Sequence, residues 1–134
     1  MTPASQLPVV RAILLADHVY QDLQSGKFII AGTFDQIFVT QFPGSHVSTH
    51  LYINLADFHG THEMAVRLVR LEDGFEIGNS GAIEIEQEDR ARHAEFNVRL
   101  PPMEFEREGP YAVEVVWDGH LLGEARIQVA QAEE

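Results

Sequence analysis

The chain has 134 residues, no cysteine, and a net charge of −12 from 21 acidic and 9 basic residues. This length suits one domain with its own apolar core. The lack of cysteine excludes disulfides and cysteine-ligated zinc. Binding to phosphates or to anionic membrane surfaces needs clustered cationic groups. An acidic chain without such a cluster therefore argues against nucleic acid and membranes as partners.

The N-terminal residues predict a lead-in followed by a folded domain. Residues 1–8 contain two prolines and small polar residues, which is typical of a flexible lead-in. They carry no basic residue, and the apolar stretch at residues 9–16 is short and interrupted by Arg11. We therefore expect neither a signal peptide nor a membrane span, and a cytoplasmic location.

The N-terminal half predicts three strands, at residues 9–20, 28–39 and 48–58. They are separated by turn residues, of which Pro43-Gly44 is the strongest signal. In the third strand every second residue is apolar, as expected for a strand with one buried face. Gly32 lies inside the second strand and predicts a bulge or a close backbone approach.

The C-terminal half continues the pattern with strands at residues 62–71, 82–87 and 94–100. Glu72-Asp73-Gly74 predicts a hairpin, and residues 75–80 are interpreted as irregular because glycines flank Asn79-Ser80. A last pair of strands begins near Tyr111, turns at Asp118-Gly119 and closes at Val129.

These signals predict an all-β fold: a two-sheet antiparallel sandwich of seven to nine strands, immunoglobulin-like or of a related Greek-key type. No internal repeat or low-complexity linker interrupts the chain. We therefore expect one domain at residues 9–130, followed by a polar tail at residues 131–134.

Two stretches carry a resemblance to a known family. One runs from Ala12 to Tyr20 and resumes at Ile30 to Phe38; the other begins at Gly109-Pro110-Tyr111 and ends with Asp118-Gly119 and Leu122-Gly123. Together they resemble an uncharacterised family of small bacterial proteins. The resemblance implies a β-sandwich and no known activity. The Gly109-Pro110-Tyr111 motif also resembles one that is common to immunoglobulin-like sandwiches in general, which favours a tyrosine corner at Tyr111. The alternative is a tyrosine that only packs at the sheet edge.

Histidines supply the candidate metal ligands. Asp57, His59 and His62 flank one predicted turn, where a hairpin can bring two imidazoles and a carboxylate within reach of zinc. The alternative is that these are solvent-exposed turn residues, because the spacing matches no established metal motif.

Other side chains suggest weaker possibilities for ligand binding. His50 and Tyr52 are the candidates for contact with a small ligand or carbohydrate, whereas the parity of Trp117 places it in the core. Glu84 and Glu86 alternate with apolar residues, which indicates a solvated face or an edge strand protected by charge.

No catalytic signature is present. The chain lacks a nucleophile elbow, a cysteine nucleophile, a phosphate loop and a dinucleotide fingerprint. We therefore predict no catalytic residues, no cofactor and no enzymatic activity. The favoured function is a binding or assembly module that contacts protein partners or self-associates as a homo-oligomer. The alternatives are a small-ligand or carbohydrate binder, and a metal-dependent enzyme that uses the Asp57, His59 and His62 turn.

Overall fold

The computed structural model describes residues 7–133, and every regular element in that range is a β-strand. The same residues contain no helix long and apolar enough to cross a membrane. The strands are β1 (Val9–Gln21), β2 (Phe28–Thr33), β3 (Gln36–Val39), β4 (Gly44–His46), β5 (Thr49–Ala56), β6 (Gly60–Arg70), β7 (Phe75–Asn79), β8 (Ile83–Gln87), β9 (Ala94–Leu100), β10 (Met103–Phe105), β11 (Gly109–Trp117) and β12 (His120–Gln131).

These strands form two large sheets and a small ribbon. The four-stranded sheet has the order β2-β1-β5-β9, and all its pairs are antiparallel. The six-stranded sheet has the order β3-β12-β11-β6-β7, with β8 also paired to β6. The ribbon consists of β4 and β10.

One apolar core joins the two large sheets. Leu51 and Ile53 of β5 are fully buried, as their alternation predicts, and so are Val113 and Val115 of β11. All four belong to a single cluster, so the sheets pack face to face. Each fully buried side chain of this size contributes about 1.5–3 kcal/mol relative to an exposed one.

The prediction of an all-β fold is confirmed, but the strand count is not. Residues 7–133 form twelve strands rather than seven to nine. The predicted strand at residues 28–39 is divided into β2 and β3, which lie in different sheets. β4 and β10 have only three residues each, which is too short for alternation to be read. The pairing is not wholly antiparallel either, because β3 runs parallel to β12.

The interpretation of residues 75–80 as irregular is wrong for residues 75–79. Phe75–Asn79 form β7, which pairs with β6 through a register shift after Leu68. Gly78 and Asn79, which indicated a loop, lie within this short edge strand, and Ser80 follows its end. The pairing with β6 overrides their low strand propensity.

Two predicted local features are confirmed in the last pair of strands. The Tyr111 hydroxyl donates a 2.6 Å hydrogen bond to the Arg107 carbonyl, and the side chain is fully buried. This is the tyrosine corner. Asp118 and Gly119 have φ of 47° and 83°, as a two-residue type I′ hairpin requires. Burial raises the pKa of Tyr111.

Two glycines allow a neighbouring side chain to pack directly against the backbone. Gly32 has φ of 75°, and a Cβ there would lie 2.6 Å from the Asp17 carboxylate, so the predicted close backbone approach is confirmed. A Cβ at Gly123 would lie 2.8 Å from Cδ1 of Ile13. Because Gly123 is in the six-stranded sheet and Ile13 in the four-stranded sheet, the two sheets are tightly apposed on the β1–β12 side.

The chain ends are described in part. Of the predicted lead-in, residues 1–6 lie outside the described residues, whereas Leu7 packs against the core. Of the predicted tail, Gln131 still belongs to β12, and the Ala132 N–H donates a 2.8 Å hydrogen bond to the Val39 carbonyl. Residue 134 lies outside the described residues.

Candidate binding groove

A groove of about 420 Å³ opens between the two large sheets on the side opposite β1 and β12. Its walls are β7 with the adjoining part of β6, and β9 with the segment that follows it. Most lining side chains are apolar: Val66, Leu68, Phe75, Ile77, Val98, Leu100, Pro101, Pro102, Met103 and Val113. Several of these also belong to the main core, so the groove gives access to the interior of the domain.

The groove is open because both of its walls are sheet edges. Within residues 7–133, β9 pairs with β5 alone and β7 pairs with β6 alone. Val98 and Leu100 face the core from β9 but are only half-buried. An edge strand carries a row of backbone N–H and C=O groups that face away from its sheet.

Gly78 contributes to the opening. It lies opposite Leu68 in the β6–β7 ladder, and cross-strand partners share one face of a sheet. A Cβ at Gly78 would meet no atom within 4 Å. The missing side chain therefore leaves space next to the apolar side chain of Leu68. The backbone at Gly78 does not have the positive φ that favours glycine.

A salt bridge stands at one end of the groove. Arg70 lines the groove and donates to both carboxylate oxygens of Asp73, at 3.0 and 2.7 Å. This hydrogen bonding, followed by that from the Phe75 N–H, lowers the pKa of Asp73 to about 2. The same partner raises the pKa of Arg70. The guanidinium also lies 5.1 Å from the centre of the Phe75 ring, which is exposed at the groove mouth.

The predicted metal ligands have other partners. The His62 Nδ1 lies 2.6 Å from the Asp118 carboxylate, and its Nε2 lies 2.7 Å from the His59 carbonyl. The His62 ring also stacks on Trp117 with centroids 4.8 Å apart. Both ring nitrogens of His62 therefore face hydrogen-bond acceptors. His62 thus fastens the β11–β12 turn to β6.

Asp57 and His59 both contact the side chain of Arg90. Arg90 lies 3.3 Å from the Asp57 carboxylate and 2.6 Å from Nδ1 of His59. The structure therefore places Asp57 and His59 side by side but turns His62 towards Asp118. No group of three His, Cys, Asp or Glu side chains able to hold a metal ion occurs within residues 7–133. Zinc binding at this turn stays a prediction.

His50 and Tyr52 lie on the outer face of the four-stranded sheet. His50 is 3.0 Å from the Asn97 side chain, and the Tyr52 hydroxyl donates to Glu95. Burial, and then the bond to Glu95, raises the pKa of Tyr52. Tyr52 is only 6% exposed, and the Phe28 ring lies 5.8 Å from it. Phe28 therefore covers part of the predicted ligand surface.

The remaining residues singled out from the sequence lie either in the core or at the surface. Trp117 is fully buried in the core, as predicted. Glu84 and Glu86 are exposed on β8, which pairs with β6 and lies at an edge of its sheet. The groove was not predicted from the sequence, because its apolar residues on β6, β9 and β11 have the pattern of ordinary core positions and residues 75–80 were interpreted as irregular. The one available signal was Pro101-Pro102, which ends β9 beside it.

An all-β domain with a groove between two edge strands is the class of protein that this structure defines. The chain belongs to the family of unknown function DUF6941, whose sequence profile matches residues 11–130. This confirms the resemblance to an uncharacterised family. No curated protein matches the chain.

A solved structure shows a weak similarity to this chain. It is that of the Pseudomonas fluorescens alkylpurine DNA glycosylase AlkC bound to DNA containing an abasic site analog. The identity is 15%, the match covers 90% of this chain and 30% of that chain, and the TM-score is 0.39. The chain thus spans about a third of that structure, and a TM-score at this level supports no statement about function.

Proposed function

We propose that this protein is a non-enzymatic binding module that takes up an extended, largely apolar segment of a protein partner. The observation that carries the proposal is the groove between β7 and β9, whose apolar floor is open between two sheet edges. Arg70, one of the charged residues that line the groove, is paired with Asp73, which favours a structural role for that pair over a catalytic one.

The edges favour an extended segment as the occupant. A strand added to β9 can form backbone hydrogen bonds along seven residues. Alternate side chains of that strand would then point into the groove, beside Val98 and Leu100. In this mode of recognition the backbone bonds provide affinity and the pockets for alternate side chains provide specificity.

A small apolar ligand is the second candidate. Ligand pockets typically measure about 300–1,000 Å³ and combine apolar walls with a few polar groups. The groove, at about 420 Å³, has such walls and the polar side chains of Asn79 and Ser80 at its border. The two candidates share one site, and a peptide experiment separates them.

The proposal includes a finer description of the fold. We classify the domain as a two-sheet sandwich of the immunoglobulin-like or a related Greek-key type. The face-to-face sheets and the tyrosine corner at Tyr111 support this classification. The cytoplasmic location and the exclusion of nucleic acid and membranes stay predictions from the sequence.

A peptide-display selection tests the binding function. A library of random linear peptides is selected on the immobilised full chain, and the enriched peptides are measured against wild type, Gly78→Leu and Gly78→Ala. The leucine obstructs the part of the groove beside Leu68, whereas the alanine changes the same residue and leaves nearly all of the space open.

We expect enriched peptides with apolar residues at every second position. They should bind wild type and Gly78→Ala, and bind Gly78→Leu at least tenfold more weakly. Equal binding to all three variants would overturn the groove as the site. A selection that yields no binder, together with binding of an apolar small molecule that Gly78→Leu blocks, would favour the second candidate.

A further inference from the structure

The hairpin formed by residues 18–31, here called the arm, has two different faces. Beyond Ala16 the structure pairs β1 with β2 and no longer with β5. One face of the arm packs on the outer face of its own sheet, where Val19 and Phe28 contact the cluster around Tyr52.

The other face of the arm is apolar and exposed. Tyr20 and Ile29 are cross-strand partners and are 52% and 53% exposed, and Leu23 at the tip is fully exposed. Exposed apolar residues are ordinary when they are scattered singly, but several on one element indicate a contact surface.

The arm and the groove lie at opposite edges of the same sheet. In the order β2-β1-β5-β9, β2 is one edge and β9 is the other. Because each neighbouring pair is antiparallel, β2 and β9 run in opposite directions. When two copies are placed in the same orientation, β2 of one copy therefore meets β9 of the other as an antiparallel partner. Their lengths of six and seven residues match.

The charges near the paired strand ends favour the antiparallel pairing of β2 with β9. In an antiparallel pairing the start of β2 lies beside the end of β9, so Lys27 comes close to the segment after Leu100. That segment carries Glu104 and Glu106, which are both exposed and line the groove. Lys27 is the single lysine of the chain and is exposed.

We propose that this protein associates head to tail, with the arm of one copy occupying the groove of the next. β2 extends the four-stranded sheet of the neighbouring copy at β9, and Ile29 enters the groove beside Val98. The inference rests on the proposed function, since it names a second copy of this chain as the source of the extended segment. Such an interface is heterologous, so one end of the assembly keeps a free arm and the other a free groove, and chains can grow.

Sedimentation velocity on the full chain tests this proposal. Wild type should increase in average mass with concentration above the 15.1 kDa of one copy. Ile29→Glu, which damages the arm, and Gly78→Leu, which fills the groove, should each stay monomeric. Leu121→Glu is the matched control, because Leu121 is 52% exposed on the other sheet, and it should associate like wild type.

Mixing the two defective variants gives the decisive result. Gly78→Leu retains an intact arm and Ile29→Glu retains an intact groove, so the mixture should form one-to-one dimers and nothing larger. A symmetric interface, in which both copies use the same surface, would leave the mixture as weak as its components. A wild type that associates while the mixture stays monomeric overturns the head-to-tail arrangement.

Charge reversal tests the register. Lys27→Glu should weaken association, and adding Glu106→Lys to the same chain should restore it. If neither change affects association, the antiparallel register is wrong.

The two proposals fail in different ways. If wild type stays monomeric at every concentration while display-selected peptides still distinguish it from Gly78→Leu, the self-association proposal fails and the binding groove stands. If those peptides also fail to distinguish the variants, both proposals fail.

Discussion

Filling the groove at Gly78 should stabilise the protein. A Cβ at this position meets no atom within 4 Å, and the residue faces the same side of the sheet as Leu68. A leucine there would lie against Val98 and the other apolar walls of the groove. In a closed core the same substitution would cause overpacking, which typically costs 1–3 kcal/mol.

The expected gain in the free energy of unfolding has two parts. Replacing a glycine in a strand gains about 0.5–1 kcal/mol from the smaller conformational freedom of the unfolded chain. Full burial of a leucine side chain contributes about 1.5–3 kcal/mol, and an open groove supplies about half of that. We therefore expect Gly78→Leu to raise the free energy of unfolding by about 2 kcal/mol, and Gly78→Ala by about 0.5–1 kcal/mol.

Urea unfolding followed by circular dichroism measures both values. The transition midpoint should move to higher urea with an unchanged slope, since the folded and unfolded surfaces change little. Measuring at a concentration where wild type is monomeric removes any contribution from association. A Gly78→Leu variant that is less stable than Gly78→Ala would refute the reasoning, because it would mean that the space beside Leu68 is already filled.

Three further predictions concern side-chain contacts near the groove and at the turns. Tyr111→Phe should lose about 1–2 kcal/mol in urea unfolding, because it removes the hydrogen bond to the Arg107 carbonyl; an unchanged midpoint would show that the corner contributes nothing. His62→Ala should lose about 2 kcal/mol through the lost contacts with Trp117 and the β11–β12 turn, whereas His59→Ala, exposed at the surface, should lose less than about 0.5 kcal/mol; equal losses would contradict the account. The pKa of Asp73 is lower in the folded state than in the unfolded chain, so the ionised carboxylate stabilises the folded state. This stabilisation is complete above about pH 5 and is lost as the pH falls from about 4 to about 2. Thermal unfolding of Asp73→Asn across that range should show a smaller loss of stability on acidification than wild type, and parallel curves would contradict the assignment.

Much of the fold could be predicted from the sequence because it is encoded locally. Alternation in β5 identified its buried face, and Asp118-Gly119 identified the last hairpin, since few other residues adopt two successive positive φ angles. Tyr111 was recognisable from its place at the start of a late strand. Short strands such as β4 could not be found, because three residues contain no period and the partner strand β10 is distant in sequence.

The candidate site could not be predicted because it depends on sheet order. Val98 and Leu68 have the apolar character of any core residue, and only the placement of β7 and β9 at sheet edges leaves them accessible. Histidines attracted attention as ligands, yet their partners are decided by the tertiary fold. Asp118 lies 56 residues after His62 and Arg90 lies 31 residues after His59, and no local spacing indicates such contacts.

Amide hydrogen exchange with and without a display-selected peptide tests the binding groove most directly. The account predicts that exchange slows in residues 94–100 and 75–79, because the peptide pairs with an edge strand and covers the groove. The same peptide should leave exchange in β3, at the far edge of the six-stranded sheet, unchanged. Slower exchange in β3 or β8, with residues 94–100 unaffected, would contradict the account and place the binding surface elsewhere.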